Sequence, residues 1–327
     1  MTDISMIEAA RARLDGHVRR TPLLSSPFLD EIAGRRIFVK PECLQHTGSF
    51  KFRGAWSAIS ALAPDVRAKG VIAFSSGNHA QGVALAAKIH GIPSVIVMPS
   101  DAPRIKIDNT RAYGAEVVLY DRANEDRDAI GARLSQERQL TLIKPFDEPL
   151  VIAGQGTAGL EIAEQAKELG IEKADVLVPT GGGGFISGVS LALNAKAPDF
   201  VVHPCEPEGF DDVARSLASG RIERNSTQSG SLCDAIITPQ PGAITFPIMS
   251  RLCGPGLVVT ESEALHAVAL AFNRLKIVVE PGGAVALAAA LFHAETLGET
   301  VIAVCSGGNI DPDVFRLALD QSAIETR

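Results

Sequence analysis

The stretch DVLVPTGGGGFISGVSLAL, residues 175–193, decides the class of fold. Its first five residues have the length and apolar character of a buried strand, four glycines follow at Gly181–Gly184, and the remainder has an apolar helical pattern. A strand, a glycine turn and a helix start bind anions, because bare backbone N–H groups and the helix dipole meet at one point. We expect a phosphate here; the alternative is a loose glycine loop.

Further strand-like runs alternate with helical segments along the chain. They lie at residues 36–40, 71–74, 94–98, 116–120, 176–179 and 301–305. This alternation indicates an α/β protein with parallel sheets and helices on both faces. Three of the runs fall within residues 61–145, which predicts a small inserted domain; residues 1–60 and 146–327 would form a large domain.

Two other predicted strand ends carry small polar residues. Residues 75–82, Ser-Ser-Gly-Asn-His-Ala-Gln-Gly, join a strand-like run to a helical segment, and their hydroxyls, amide and helix-start N–H groups suit a substrate carboxylate. Ordinary N-capping by Ser75 or Ser76 is the alternative. Ser306 follows the run 301–305 and can hydrogen-bond a nitrogen of a ligand ring.

Lys51 lies between Phe50 and Phe52 in TGSFKFRGA, residues 47–55. A lysine forms an imine only when burial or nearby cations lower its pKa, and this apolar position favours such a site. Taken alone, the pattern also describes a lysine that reaches solvent from an amphipathic helix. The glycine turn and the two polar strand ends favour the imine-forming lysine.

Taken together and in this order, these segments resemble the fold-type II pyridoxal-phosphate enzymes, specifically the threonine/serine dehydratase and serine racemase group. Gly-Ser-Phe-Lys at 48–51, Ser-Gly-Asn-His at 76–79 and the tetraglycine carry the resemblance, which runs from about Ile7 through Asp311. It implies two open twisted, mostly parallel sheets with helices on both faces, as in tryptophan synthase β, and pyridoxal 5'-phosphate between two domains. It also implies an ammonia-lyase that converts L-threonine or L-serine to a 2-oxo acid and ammonia.

The resemblance implies a role for each motif residue. It assigns cofactor contacts to Phe50, Lys51, Asn78, Gly181, Gly182, Gly183, Gly184 and Ser306, and substrate contacts to Ser75, Ser76, Gly77, His79 and Arg127. Lys51 would bind the cofactor covalently and then take the Cα proton of the substrate. Ser306 would face the pyridine nitrogen, and a neutral serine there makes the cofactor a weaker electron sink than an aspartate would, which favours β-elimination.

Ser76 and Arg127 leave the substrate open. Many threonine dehydratases have alanine where this chain has Ser76, whereas serine racemases and hydroxyaspartate dehydratases have serine, so some serine racemisation that depends on Ser76 is expected. Arg127 matches an arginine that contacts the distal carboxylate of dicarboxylates in serine racemase, which makes 3-hydroxyaspartate a candidate. The alternative is a solvated surface arginine. The remaining alternatives are a serine racemase and a cofactor-binding protein without turnover.

Glu206, the carbonyl of Phe210 and Asp212 form a candidate cation site. The segment EPEGFDD, residues 206–212, offers the hard oxygen ligands that Mg²⁺ or Ca²⁺ prefers. In the resembling racemases the matching positions bind a divalent cation. The alternative is an acidic cap on the following helix.

The segment GQGTAG, residues 154–159, matches the dinucleotide-binding fingerprint and makes a nicotinamide-dependent enzyme the runner-up. The short apolar run before it starts just after Pro149, which counts against a preceding strand. By the resemblance, this segment is instead a helix start in the large domain, where its glycines allow close helix packing. We expect no nicotinamide.

Composition excludes several classes of protein. The 327 residues carry a net charge of −7 with no basic run, which gives no support for binding to nucleic acid or an anionic membrane. The first residues lack a signal-peptide pattern, and no apolar run approaches the ~20 residues that span a bilayer. We therefore expect a cytoplasmic protein that acts on a small amino acid and, like similar enzymes, forms a homodimer. The short tail after Asp311 predicts no C-terminal regulatory domain.

Overall fold

The structure, a computed structural model, describes residues 2–75, 77–102, 104–121, 124–227 and 229–325. Within them, strands are β1 (Leu24–Ser25), β2 (Arg36–Pro41), β3 (Val71–Phe74), β4 (Ser94–Pro99), β5 (Glu116–Tyr120), β6 (Thr141–Leu142), β7 (Ala174–Pro179), β8 (Phe200–Pro207), β9 (Leu257–Val259) and β10 (Thr300–Cys305).

The α-helices of the same residues lie between these strands and at both ends of the chain. They are α1 (Ile4–Leu14), α2 (Pro27–Ala33), α3 (Lys51–Ser60), α4 (Pro64–Arg67), α5 (Asn78–Ile89), α6 (Arg104–Ala112), α7 (Arg127–Arg138), α8 (Pro149–Glu168), α9 (Gly184–Lys196), α10 (Asp212–Ser219), α11 (Thr245–Leu252), α12 (Glu261–Leu270), α13 (Pro281–Phe292) and α14 (Pro312–Glu325). No helix in the described ranges is long and apolar enough to cross a membrane.

The strands form two sheets. One has six strands in the order β1-β2-β10-β7-β8-β9, and the other has four in the order β5-β4-β3-β6. All neighbours pair in parallel except β1 with β2. The predicted α/β fold with two mostly parallel sheets is confirmed. The four-stranded sheet falls within residues 71–142, as a small inserted domain requires; the domain boundaries themselves stay a prediction.

Helix α8 packs closely against α3 and α9 through glycines. A Cβ on Gly154 would lie 2.5 Å from the carbonyl oxygen of Arg53, and one on Gly156 would lie 2.8 Å from that of Gly188. The expected close packing is therefore present, but the helix start expected at residue 154 is wrong. The helix begins at Pro149, where the side chain of Glu148 accepts a hydrogen bond from Val151 N at 2.6 Å. The dinucleotide fingerprint thus lies inside a helix and does not follow a strand.

A buried cluster of four charged side chains ties α3 to β2 and α8. Arg53 and Glu42 are both fully buried, and Arg53 Nε donates to Glu42 Oε2 at 2.7 Å. Arg53 Nη1 donates to Glu161 Oε1 at 2.7 Å, and Lys40 Nζ to Glu161 Oε2 at 2.6 Å. Two cations therefore face two anions, which is the condition under which charges persist inside a protein.

Trp56, the only tryptophan of the sequence, lies on α3 between two histidines. Its ring stacks on His17 at a centroid distance of 4.2 Å and on His90 at 4.4 Å. Its Nε1 donates to the carbonyl oxygen of Arg13 at 2.7 Å. These contacts fix the helix that begins with Lys51 against α1 and α5.

Candidate active site

The carboxyl ends of β3, β7 and β10 and the start of α3 border one cavity of about 1040 Å³. Ligand sites in open α/β sheets lie at this position. The predicted site residues in its lining are Phe50, Lys51, Ser75, Gly77, Asn78, His79, Arg127, Gly181, Gly182, Gly183, Gly184 and Ser306. Ser76 lies outside the described residues, so its predicted role has no structural account.

The glycine turn between β7 and α9 has no space for side chains. A Cβ on Gly182 would lie 2.4 Å from the ring of Phe146, and Gly183 has a left-handed φ of 88°. Thr245 Oγ1 donates to the carbonyl oxygen of Gly182 at 2.7 Å, which fixes the orientation of that peptide. Because α9 begins at Gly184, the turn presents backbone N–H groups and the positive helix end to the cavity, as a phosphate site requires.

Lys51 is the first residue of α3 and faces the cavity. Burial lowers the pKa of its amine from 10.5 to about 8. Nζ donates to the carbonyl oxygen of Pro145 at 2.9 Å, and it lies 5.1 Å from the ring centroid of Phe50. A substantial fraction of the amine is therefore neutral near pH 8, which is the form that attacks a carbonyl carbon.

Phe50 is covered on one face by another aromatic ring. Phe185, the second residue of α9, stacks on it with centroids 4.0 Å apart. Phe185 also borders the cavity and was not predicted from the sequence as a site residue. The contact of Phe50 with a pyridine ring stays a prediction.

Asn78, the first residue of α5, is held by two side chains that the sequence did not reveal. Its Nδ2 donates to Glu280 Oε1, and its Oδ1 accepts from Asn309 Nδ2 at 2.7 Å. Glu280 is buried, and burial is the main cause that raises the pKa of its carboxyl to about 7. The position of Glu280 just before Pro281, at a helix start, is the signal that could have identified it.

His79 borders the cavity, and its imidazole is buried and neutral. Burial and the charge of Lys51 lower its pKa to about 3, and its Nε2 lies 2.8 Å from the carbonyl oxygen of Ile143. Because a carbonyl oxygen only accepts, the neutral imidazole carries its proton on Nε2 and donates it to Ile143. Two hydrogen bonds fix the backbone of Ser306. Phe50 N donates to the carbonyl oxygen of Ser306, and Ser306 N donates to the carbonyl oxygen of Gly283, both at 3.2 Å.

Besides Lys51, four cationic side chains among the described residues border the cavity, namely Lys106, Arg127, Lys144 and Arg224. Arg127, the first residue of α7, is an exposed residue at the border of the cavity. Its contact with a substrate stays a prediction. Lys106 of α6 is buried, and its Nζ lies 2.8 Å from Asp234 Oδ2. Lys106 was missed because a lysine in a polar helix resembles a surface residue.

The predicted cation ligands lie at the end of β8 and the start of α10. Both oxygens of Glu206 already accept backbone bonds, from Val213 N at 2.9 Å and Ala214 N at 2.7 Å. The carboxylate therefore caps α10, as the alternative interpretation expected. Among the described residues no group of three or more His, Cys, Asp or Glu side chains is placed to hold a metal ion.

The donor set of the cavity fits pyridoxal phosphate. The glycine turn, which a Cβ would fill, suits the phosphate, and Lys51, with its lowered pKa, suits the aldehyde. Residues 14–307 of the chain match the family described as "Pyridoxal-phosphate dependent enzyme". The chain belongs to this family. The family predicted from the motifs is thereby confirmed.

Relatives of this pyridoxal-phosphate enzyme cover nearly its whole length. It is 43% identical to an L-threo-3-hydroxyaspartate ammonia-lyase of Pseudomonas sp, over 95% of this chain and 96% of that protein. It is 41% identical to an L-threo-3-hydroxyaspartate ammonia-lyase of Saccharomyces cerevisiae, over 92% of this chain and 91% of that protein. A solved T.th. threonine deaminase superposes with a TM-score of 0.89 at 46% identity, covering 94% of this chain and 99% of that one. The solved structure of maize serine racemase superposes with a TM-score of 0.90 at 37% identity, covering 99% of each chain.

Proposed function

We propose that this pyridoxal-phosphate enzyme is an ammonia-lyase that converts a β-hydroxy amino acid to a 2-oxo acid and ammonia. The observation that carries the proposal is the position of Lys51, a partly buried lysine whose amine has a lowered pKa, in the same cavity as the glycine turn. An amine of this kind serves both as the attachment point of the cofactor and as a base. A protein that only bound the cofactor would have no need of the base.

The residues of the chain divide the chemistry between them. Bound pyridoxal phosphate would supply an electron sink for the bond electrons at the substrate Cα. Lys51 takes the Cα proton, and the carbonyl oxygen of Pro145 can accept a hydrogen bond from the resulting ammonium. Gly77 N donates to Ser75 Oγ at 3.1 Å, so the hydroxyl proton of Ser75 and the N–H groups at the start of α5 would be the donors to the substrate carboxylate. The β-hydroxyl leaves as water, and the released enamine acid hydrolyses to a 2-oxo acid and ammonia.

L-Threonine and L-serine are the first candidate substrates, and 3-hydroxyaspartate is the second. The second is favoured by the cations that border the cavity, among them Lys106 and Arg127, since a dicarboxylate brings an additional negative charge. It is also the substrate named for two of the relatives. Some serine racemisation is proposed as a side activity that depends on Ser76.

A substrate panel tests the proposal. The holoenzyme is mixed with L-threonine, L-serine or L-threo-3-hydroxyaspartate, and 2-oxo acid and ammonia are measured together. Equal amounts of both products from at least one substrate are expected. A protein that carries the cofactor and forms no 2-oxo acid from any of the three would be a binding protein without turnover. The cytoplasmic location and the homodimer stay predictions.

A divalent cation at Glu206, Phe210 and Asp212 is part of the proposal. It is supported by the second oxygen of Asp212, which is buried without a hydrogen-bond partner among the described residues. Burial, followed by the charge of Asp212, raises the pKa of Glu206 well above its usual value. A cation beside the two carboxylates would bind the unpartnered oxygen of Asp212 and offset the repulsion between Asp212 and Glu206.

Addition of Mg²⁺ or Ca²⁺ at millimolar concentration is expected to raise the melting temperature of the enzyme by about 2 °C or more, because a ligand that binds only the folded state stabilises it. The change Asp212→Asn should abolish this shift. The matched control is Asp199→Asn, an exposed acidic residue that lies just before the same strand. A wild-type enzyme whose melting temperature does not respond to either ion would leave Glu206 as a helix cap alone.

A further inference from the structure

Lys106 joins the two parts of the chain that border the cavity. It belongs to α6, beside the four-stranded sheet, whereas its partner Asp234 comes from the segment before α11. Both residues border the cavity. The pair is therefore an ion pair between the two walls of the substrate site.

The ammonium group of Lys106 lies beside the turn that we assign to the substrate carboxylate. A Cβ built on Gly77 would lie 3.3 Å from Cδ and 3.5 Å from Nζ of Lys106. Gly77 directly precedes Asn78, whose side chain is held by Glu280. When the first carboxylate of a dicarboxylic substrate binds at this turn, its second carboxylate is thus within reach of Lys106.

The two partners of the ion pair differ strongly in burial. The side chain of Lys106 is 7% exposed, whereas that of Asp234 is 46% exposed. A buried ammonium cannot lose its counter-charge without a large desolvation penalty. Asp234, in contrast, returns to water when it is displaced. The geometry therefore permits one anion to be exchanged for another at a fixed cation.

Lys106 keeps its charge when the anion changes. Burial alone would lower the pKa of its amine, but the charges of Glu280 and Asp234 outweigh burial and raise it. Glu280 is held by the bond from Asn78 and takes no part in the exchange, so an incoming carboxylate would take the place of Asp234 beside the ammonium. The ammonium is thus available to an incoming carboxylate.

We propose that Lys106 determines specificity for dicarboxylic substrates by ion-pair exchange, in which the distal carboxylate of the substrate replaces Asp234 on Nζ. Substrates with a neutral side chain leave the Lys106–Asp234 pair intact. The inference rests on the proposed ammonia-lyase function for the identity of the substrate. It concerns recognition of the second carboxylate and does not alter the role of Lys51.

Binding of unreactive acids tests the exchange without turnover. The holoenzyme is titrated calorimetrically with succinate, which has two carboxylates, and with butyrate, which has one. Lys106→Gln is expected to weaken succinate binding by about 10- to 100-fold, the usual range for a lost charged hydrogen bond, and to affect butyrate much less. Asp234→Asn should tighten succinate binding by about threefold or more, because the competing anion is gone.

Two further variants complete the design. Lys106→Arg keeps the charge and should retain part of the preference for succinate. Lys196 forms an ion pair with Glu8, and the two side chains are 45% and 52% exposed. The control Lys196→Gln should leave the preference for succinate unchanged. Turnover is then compared: the ratio of kcat/KM for L-threo-3-hydroxyaspartate to kcat/KM for L-threonine should fall about 10- to 100-fold in Lys106→Gln.

Equal losses for succinate and butyrate, or for both amino acids, would overturn the proposal and make Lys106 a general structural link. Weaker succinate binding in Asp234→Asn would overturn it as well, and this measurement remains decisive if Lys106→Gln does not fold. An enzyme that prefers succinate through Lys106 but turns over no amino acid would reject the ammonia-lyase function and keep the present inference.

Discussion

Replacing Lys51 by alanine is expected to lower turnover of every substrate by about a thousandfold or more, because in the proposed function Lys51 is both the attachment point of the cofactor and the base. Its amine is the one that the start of α3 places in the cavity, with its pKa lowered by burial to about 8. Borohydride reduction followed by mass spectrometry gives a second readout. The wild-type protein should retain the mass of the reduced cofactor, and Lys51→Ala should not.

The control for this variant is Lys88→Ala on α5, whose side chain is exposed. It should keep both the turnover and the covalently retained cofactor. If Lys51→Ala kept its turnover within tenfold, another amine would have to be the base. Lys106, which borders the same cavity, would be the first to examine.

The change Arg53→Met is expected to destabilise the protein by about 3–5 kcal/mol, because it leaves buried anions without their main counter-charge. Burial alone would raise the pKa of Glu42, but the adjacent charge of Arg53 holds it below its usual value. In the variant, Glu42 keeps only Thr21 Oγ1, at 2.7 Å, as a direct hydrogen-bond donor among the side chains described. Urea unfolding followed by circular dichroism measures the loss.

Arg20→Met is the matched control for Arg53→Met. Arg20 pairs with Glu168 at 2.7 Å, but the two side chains are 49% and 62% exposed. Exposed pairs contribute about 0–1 kcal/mol, so this variant should unfold close to the wild type. A loss below about 1 kcal/mol in Arg53→Met as well would show that the buried cluster adds no more than a surface pair does.

The sequence predicted the parts of the site that depend on local chemistry. The glycine turn, Lys51 and the polar strand ends each carry their signal within a few residues, and the parallel sheet brings those ends together. Short strands were not predicted. β6 has two residues and β9 has three, too few for a periodic pattern, and they form strands only because a neighbouring strand pairs with them.

The rest of the site depends on contacts between distant parts of the chain. Lys106 and Asp234 are separated by 128 positions, and Asn78 and Glu280 by 202. Nothing near Lys106 in the sequence marks it as buried, because its burial comes from the opposite wall of the cavity. The glycines of α8 show the reverse case. A local fingerprint pointed to a nucleotide, but Glu148 and Pro149 start the helix earlier and the glycines serve packing.

The stacking of Trp56 between His17 and His90 also gives the enzyme an intrinsic optical probe. As the sole indole, it is the source of all tryptophan emission. It lies five residues after Lys51 on α3, about 7 Å along the helix axis. At that range its emission would transfer energy to a cofactor bound at Lys51 as proposed, so fluorescence is expected to report cofactor loading. The same signal follows unfolding, because the indole then separates from both imidazoles and enters water.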